Sequence, residues 1–404
     1  MEYNVQLNKL STYIYRGKQP KYATEGIPVI NQKAIQWDTF DKSVLKYHDE
    51  NKKVDKRHFI KKNDVLINST GTGTVGRVYH INYEPDLMFA DSHITIVRTN
   101  EELLMSRFLY YQMRTTQFQA MILNEFLAGS TGQVEFNKSM IEKLPINVPS
   151  ISYQYKVVNI LSKLDKKIET NKKIIANLEE LSQTLFKRWF VDFEFPDENG
   201  NPYKSSGGEM IDSELGKIPK NWKVDEIGNY IKIKSGKRPK NKVDSKDSEN
   251  VVPVIGASKI MGYTNDYIYN EKIIIIGRVG THGVIQRFST RTWPSDNTFV
   301  ITSDFESIIY QLLKKIDYVS LNRGSTQPLL SQKDIKNTKV AMPTNETLLS
   351  TYQKENNHVL KIMDQKNIEN QKLTQLRDML LPKLMSGEIE MPDDIEVNED
   401  ELSI

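Results

Sequence analysis

Residues Ser150 to Phe190 read SISYQYKVVNILSKLDKKIETNKKIIANLEELSQTLFKRWF. Val157, Leu161, Leu164, Ile168, Ile175, Leu178 and Leu185 recur along them at the three- and four-residue spacing that makes the seam of one long amphipathic helix. At about 1.5 Å per residue such a helix reaches on the order of 50 to 60 Å, far beyond an ordinary globular helix. It has a twin. Tyr352 to Met385 carries Val359, Met363, Leu373, Leu376, Leu380 and Leu384 in the same pattern. Tyr153-Gln154 matches Tyr352-Gln353, Leu164-Asp165 matches Met363-Asp364 and Asn171 matches Asn370, each at an offset of 199 (352 minus 153, 370 minus 171). Each stretch has one apolar stripe among Lys, Glu, Asn and Gln, and burying both stripes predicts an antiparallel coiled coil. Asn171 and Asn370 interrupt the stripes near mid-helix. Either they meet at a pseudo-two-fold axis and fix the register, or they are two unrelated surface asparagines.

The remainder of the chain is duplicated as well. YIYRGKQP (Tyr13 to Pro20) is echoed by YIKIKSGKRP (Tyr230 to Pro239), and IPVI (Ile27 to Ile30) by VPVI (Val252 to Ile255). DVLINSTGTGTVGRV (Asp64 to Val78) is answered by KIIIIGRVGTHGVI (Lys272 to Ile285), and ADSHITIV (Ala90 to Val97) by PSDNTFVI (Pro294 to Ile301). GSTGQ (Gly129 to Gln133) finds GSTQ (Gly324 to Gln327). Strands are predicted at Gly26 to Ile30, Asp64 to Asn68, Val75 to Ile81 and His93 to Arg98, and one amphipathic helix at Glu101 to Leu127. The expected fold is therefore mixed α/β: two similar globular domains separated by two long antiparallel helices, an internal pseudo-two-fold repeat. Boundaries follow: domain 1 at 1–149, first long helix 150–190, linker 191–221, domain 2 at 222–345, second long helix 346–386 and an acidic tail 387–404. The linker, rich in Pro, Gly, Ser and Asn, reads as a segment that makes no core. An antiparallel pairing of the helices would hold two reading heads apart in opposed orientation, which suits a DNA duplex with its own dyad.

Composition narrows the class. With 404 residues, 26% of them charged, and a mean hydropathy of −0.53, the chain has material for two to three cores. No apolar run approaches a membrane span and MEYNVQLNKL lacks a signal peptide's apolar core, so the expected location is cytoplasmic, away from membrane. With no cysteine, disulfides, thiolate zinc sites and thiol nucleophiles are excluded. A net charge of +3 permits nucleic-acid binding without requiring it.

Catalytic motifs are sparse. Gly71-Thr72-Gly73-Thr74-Val75-Gly76 spells GxGxxG, but the strand-like Arg77 to Ile81 follows where a dinucleotide loop needs a helix. It reads as a glycine-rich turn or a nucleic-acid backbone contact. Asn201-Pro202-Tyr203 lacks the second proline and the preceding strand of an amino-methyltransferase loop and reads as a turn. The six histidines show no ligand spacing, so no catalytic or metal site is assigned.

The repeated anchors set basic and polar residues beside glycines, where a loop brings side chains to phosphates and base edges. In the first domain the candidate DNA-binding residues are Arg16, Lys18, Thr72, Thr74, Arg77 and His93. In the second they are Lys234, Lys237, Arg238, Arg278, Thr281, His282 and Asn297. Arg and Lys suit guanine acceptors or phosphate, and Asn and Thr suit adenine edges or backbone oxygens. Ser130-Thr131 and Ser325-Thr326 are read as closing each domain onto its helix. The Phe186-Lys187-Arg188-Trp189-Phe190 helix end either docks on the neighbouring domain or offers a protein-binding surface.

The duplicated layout, the GSTQ element ahead of Lys333-Asp334-Ile335, the Phe186 to Phe190 helix end and the linker Ser213-Glu214-Leu215-Gly216-Lys217-Ile218-Pro219 together resemble the specificity subunit of Type I restriction-modification systems. The resemblance covers essentially the whole chain. It implies two target-recognition domains, each reading half of a bipartite, asymmetric DNA sequence, with the helices as the ruler for the unread spacer. It also implies partners: double-stranded DNA, two modification subunits that bind S-adenosylmethionine and methylate adenine, and restriction subunits that hydrolyse ATP, translocate and cut. This chain would itself be non-catalytic and hold no cofactor, with S-adenosylmethionine, ATP and Mg on the partners. One departure is visible, Thr338-Lys339-Val340 standing where the first copy has Leu144-Pro145-Ile146, which leaves the two domain-to-helix joints open to differ. Two other readings stay open: a nuclease or methyltransferase with a site assembled only on folding, and a coiled-coil scaffold for proteins.

Overall fold

The structure is a computed structural model that describes residues 4–37, 39–126, 135–244, 246–279, 283–324 and 329–389. The chain divides into two units, one of Met1–Glu169 with Gln371–Ile404 and one of Thr170–Asn370. Both long helices cross the division, so each unit contains a piece of each.

In the first unit β1 (Asn4–Gln6), β2 (Ser11–Arg16), β3 (Tyr22–Ala23), β4 (Ile27–Ile30) and β5 (Lys46–His48) come first. They are followed by β6 (Val65–Asn68), β7 (Val78–His80), β8 (Phe89–Ala90) and β9 (Ile94–Thr99). Three helices come next, α1 (Ser106–Met113), α2 (Thr116–Glu125) and α3 (Lys138–Glu142), then β10 (Pro145–Asn147) and the 40-residue α4 (Ile151–Phe190). One antiparallel sheet runs β2-β9-β6-β7 and a second runs β3-β5-β4-β8, with β4 and β8 parallel. β6 and β9 are buried on both faces, as their run of Val, Leu and Ile requires of central strands.

The second unit adds the hairpin β11 (Met210–Ser213) and β12 (Gly216–Pro219), then repeats the plan. β13 (Trp222–Glu226), β14 (Lys232–Ser235), β15 (Val252–Ile255) and β16 (Ile260–Thr264) lead to β17 (Ile273–Gly277), β18 (Ile285–Phe288), β19 (Trp293–Pro294) and β20 (Thr298–Thr302). Helices α5 (Glu306–Lys315) and α6 (Gln332–Lys336), strand β21 (Lys339–Pro343) and the 41-residue α7 (Glu346–Ser386) complete it. The sheet order β14-β20-β17-β18 reproduces β2-β9-β6-β7, and β16-β15-β19 reproduces β5-β4-β8 down to the parallel β15–β19 pair, with no counterpart of the short edge strand β3 among the described residues. The short helices are capped alike, Asn137 accepting from the Met140 amide and Ser331 from the Lys333 amide.

The long helices pair antiparallel within each unit. In the first, Tyr153 donates its hydroxyl to the Leu384 carbonyl at 2.8 Å and Arg377 bonds Asp165 at 3.1 Å. Val157, Val158 and Leu161 of α4 share one core with Leu381, Leu384 and Met385 of α7. In the second, Asn171 bonds Asn370, and Phe186, Trp189 and Phe190 surround Tyr352. The aspartates at offset 199 tie helix to domain in both copies. Tyr111 of α1 donates to Asp165 at 2.7 Å, and Arg287 of β18 donates to Asp364 at 2.9 and 2.7 Å.

Two expectations change, and two that were left open are decided. Glu101 to Leu127 is two helices, not one, because Thr115 caps α2 by accepting from the Phe118 amide and ends α1 by donating to the Gln112 carbonyl; Leu127 lies outside the described residues. Residues 191–221 are not a coreless linker. Phe195 stacks on Trp222 and Tyr203, Phe193 meets Trp222 edge-on, and Ile218 is buried with them, so a few apolar side chains override a polar average. The Phe186 to Phe190 helix end docks into this same core, with Phe186, Trp189 and Phe190 buried. The domain-to-helix joints agree rather than differ, since β1 pairs β10 and β13 pairs β21 in the same antiparallel way, the second ladder being longer.

Candidate nucleic-acid interface

One close approach shapes the candidate site in each unit. The Gly17 amide donates to the Ile94 carbonyl and the Lys18 amide to Ala90; the Gly236 amide donates to Thr298 and the Lys237 amide to Pro294. A Cβ at Gly17 would collide with the carbonyls of Ala90 and Asp91, and one at Gly236 with those of Pro294 and Ser295. Only glycine lets the turn after β2 or β14 lie flat against the turn before β9 or β20. Lys18 and Lys237 follow these glycines and are exposed, without a side-chain hydrogen bond among the described residues.

In the first unit Arg16, Thr74, Arg77 and His93 are tied to the glycine loop and its neighbours. Arg16 pairs with Glu135 at 2.7 Å, and Glu135 bridges to Thr70, whose hydroxyl lies 2.7 Å from His93 Nδ1. Thr74 donates its hydroxyl to the Thr70 and Gly71 carbonyls, and Arg77 donates to Gln36 Oε1 at 2.7 Å and to the Gly73 carbonyl at 2.9 Å. Thr74 and Arg77 thus hold the loop's shape, while Thr72 at its tip and His93 are exposed. Gly71, Gly73 and Gly76 all have positive φ, and β7 follows the loop, so no helix N-terminus faces it as a dinucleotide loop would need. The GxGxxG match is a turn.

In the second unit Lys234 lies exposed on β14, and Arg238 reaches Asp296 at 3.8 Å with its side chain 86% exposed. The Arg278 amide donates to the Asn297 carbonyl, and its guanidinium lies 5.8 Å from the Phe299 ring centre. Asn297 is exposed. Thr281 and His282 lie outside the described residues, as do Ser130-Thr131 and Ser325-Thr326. The backbone also fixes one correspondence between the units. The Ser69 amide donates to His93, and the Phe136 amide donates to Ser69; Arg278 makes the same two bonds with Asn297 and Leu330. Arg278 therefore stands where Ser69 does.

Sequence reasoning passed over Gln19, Ser92, Glu135 and Asp296. Ser92 donates its hydroxyl to Gln19 Oε1 at 2.8 Å, next to Lys18 and His93. The signal was present, since Gln19 and Arg238 each sit two residues beyond the matched glycines. What these clusters offer chemically is a set of exposed cations, amides and hydroxyls on rigid turns, suited to phosphates and base edges. No group of three or more His, Asp or Glu able to hold a metal occurs among the described residues, and none of their helices is long and apolar enough to cross a membrane.

Comparisons with known proteins agree with this architecture. The Type I restriction enzyme MjaIX specificity subunit of Methanocaldococcus jannaschii is 28% identical over 318 residues, covering 71% of this chain and 69% of that protein. The HindI specificity subunit of Haemophilus influenzae is 24% identical over 409 residues, 82% of this chain and 87% of that one. Among solved structures, the Type I restriction-modification S subunit from M. genitalium shares the fold, with a TM-score of 0.57 at 18% identity over 96% of both chains. The family described as the Type I restriction modification DNA specificity domain matches twice, at residues 8–180 and 219–378. Its role is recognition of a DNA target rather than catalysis, and with two copies spanning most of its length the chain belongs to that family.

Proposed function

We propose that this chain reads a bipartite DNA target, one half with the loop cluster of residues 1–149 and the other with that of residues 222–345, for partner subunits that modify or cut the DNA. The observation that carries the reading is the duplicated turn: Gly17-Lys18 and Gly236-Lys237 are pinned by the same backbone bonds, while the exposed side chains around them differ. A common frame with different side chains suits two unlike half-sites. In the first unit Lys18, Thr72 and His93 meet DNA, with Arg16, Thr74 and Arg77 shaping the loop. In the second Lys234, Lys237, Arg238 and Asn297 do so, with Arg278 behind them, and Thr281 and His282 are counted among the DNA contacts on sequence grounds. Two modification subunits dock on α4 and α7 and carry S-adenosylmethionine, and restriction subunits carry ATP and Mg, in the cytoplasm. The related M. jannaschii and H. influenzae proteins, named as specificity subunits of Type I restriction enzymes, support this assignment.

Selection from a pool of randomised duplexes, by the full chain alone and reconstituted with modification subunits, tests it. The expected outcome is a two-part motif whose binding falls steeply with salt. Selection of no motif, or DNA turnover by the pure chain, would overturn it.

A further inference from the structure

The turn that follows the pinned glycine carries one polar pair per unit, in the same place and of different chemistry. Gln19 and Arg238 each lie two residues after Gly17 and Gly236. Ser92 and Asp296 each lie one residue after Asp91 and Ser295, whose carbonyls press on those glycines. The frame around the pairs is shared: the Asp91 amide donates to Ile30 and the Ser295 amide to Ile255, both at 2.9 Å, and the Ile94 and Thr298 amides close each turn back onto Asp91 and Ser295. Within that frame Ser92 holds the Gln19 amide at 2.8 Å, and Asp296 stands 3.8 Å from the Arg238 guanidinium. Gln19 and Arg238 are both exposed.

We infer that Gln19 and Arg238 are specificity-determining residues that read the corresponding base pair of each half-site, Gln19 selecting adenine and Arg238 selecting guanine. This rests on the DNA-reading function proposed above. A glutamine whose carbonyl is held by a neighbouring hydroxyl presents its amide in one orientation, the geometry that pairs with adenine N6 and N7. A guanidinium offers two parallel donors, which fit guanine O6 and N7. Ser92 and Asp296 position the two reading groups without contributing sequence information of their own. Because the backbone around the pairs is the same, exchanging the side chains exchanges the preference without rebuilding the loop.

The test is selection from a randomised duplex pool by the full chain with its modification subunits, as wild type, as Gln19→Arg with Ser92→Asp, and as Arg238→Gln with Asp296→Ser. The first variant should move one position of one half-site from adenine to guanine, by about ten- to a hundred-fold in preference, and leave the other half-site unchanged. The second variant should move one position of the other half-site from guanine to adenine. Gln19, Arg238 and Asp296 are exposed and Ser92 is half-buried, and a thermal melt matching wild type shows that each variant folds. Should either double variant melt early, its single change, Gln19→Arg or Arg238→Gln, gives the same reading. Folded variants that select the wild-type motif in both halves would overturn the inference while leaving the DNA-reading function intact. A wild type that selects no motif would instead remove that function.

Discussion

Asn171 Nδ2 donates a hydrogen bond to Oδ1 of Asn370 at 2.9 Å, joining α4 to α7 at the two positions that the 199-residue offset pairs. Asn171 is fully buried, and its own Oδ1 accepts no hydrogen bond from the described residues. The half-satisfied pair costs stability, and slipping the register would part the two amides that meet only in this alignment.

Replacing both residues with leucine, Asn171→Leu with Asn370→Leu, should raise the melting temperature, by about 1 kcal/mol or more in stability, because a buried polar pair gives way to packing. Register should loosen at the same time. The chain has no cysteine, so spin labels on Lys172→Cys and Gln365→Cys report only the introduced sites. A broadened label-to-label distance in the leucine double variant is the expected result; an unchanged narrow distribution would show that the asparagines do not fix the alignment.

A second buried amide has no such partner. Asn356 of α7 is fully buried, and neither Nδ2 nor Oδ1 makes a hydrogen bond among the described residues. Its counterpart at the 199 offset is Val157 (356 minus 199), which sits in the first unit's core. Asn356→Val should stabilise the second unit by about 1 to 3 kcal/mol, the desolvation cost of an unpaired amide. The reciprocal Val157→Asn should destabilise the first unit by a similar or larger amount. Denaturant unfolding of the two variants checks both signs, and a destabilising Asn356→Val would show that its amide is satisfied.

Lys18 and Lys237 are exposed on the pinned turns and suited to phosphate rather than bases. Lys18→Ala and Lys237→Ala should each weaken binding to all duplex sequences alike and reduce the slope of log affinity against log salt by about 1. A change in the selected motif, with no change in slope, would place these lysines on base edges instead.

How far the sequence disclosed this depends on which physical constraint wrote it. The long helices were legible because one apolar seam must persist for forty residues, and α4 and α7 run Ile151–Phe190 and Glu346–Ser386. The matched turns were legible because only glycine tolerates the carbonyls pressing on positions 17 and 236. Residues 191–221 were misread because composition averages away Phe193, Phe195 and Tyr203, which fold onto Trp222. That Arg278 stands where Ser69 does was not legible, because only the backbone bonds of the two residues match them. Gln19–Ser92 and Arg238–Asp296 had no signal beyond their distance from an anchor, since surface side chains at a reading position are free of packing constraints.

Equivalent strands of the two units also carry unlike buried bases, and this gives the units different responses to acid. His80 on β7 pairs across to Val65, as Arg287 on β18 pairs to Ile274. Arg287 is permanently charged and held by Glu306 and Asp364. His80 is buried, 3.0 Å from the Ser106 hydroxyl, and burial with the nearby Arg107 charge pushes its pKa down from 6.5 to about 3. The folded state thus binds a proton at His80 less readily than the unfolded chain. Between about pH 3 and 6.5 the unfolded chain holds the extra proton, so the His80 contribution is complete above 6.5 and erodes as pH falls toward 3. The first unit should lose up to about 1.4 kcal/mol per pH unit from this group across that window. His80→Gln, which keeps a polar group near Ser106 and does not titrate, should flatten the acid limb of the first unit's unfolding free energy and leave the plateau above pH 7 within about 1 kcal/mol of wild type. The same acid slope in wild type and variant would show that His80 is protonated where it lies.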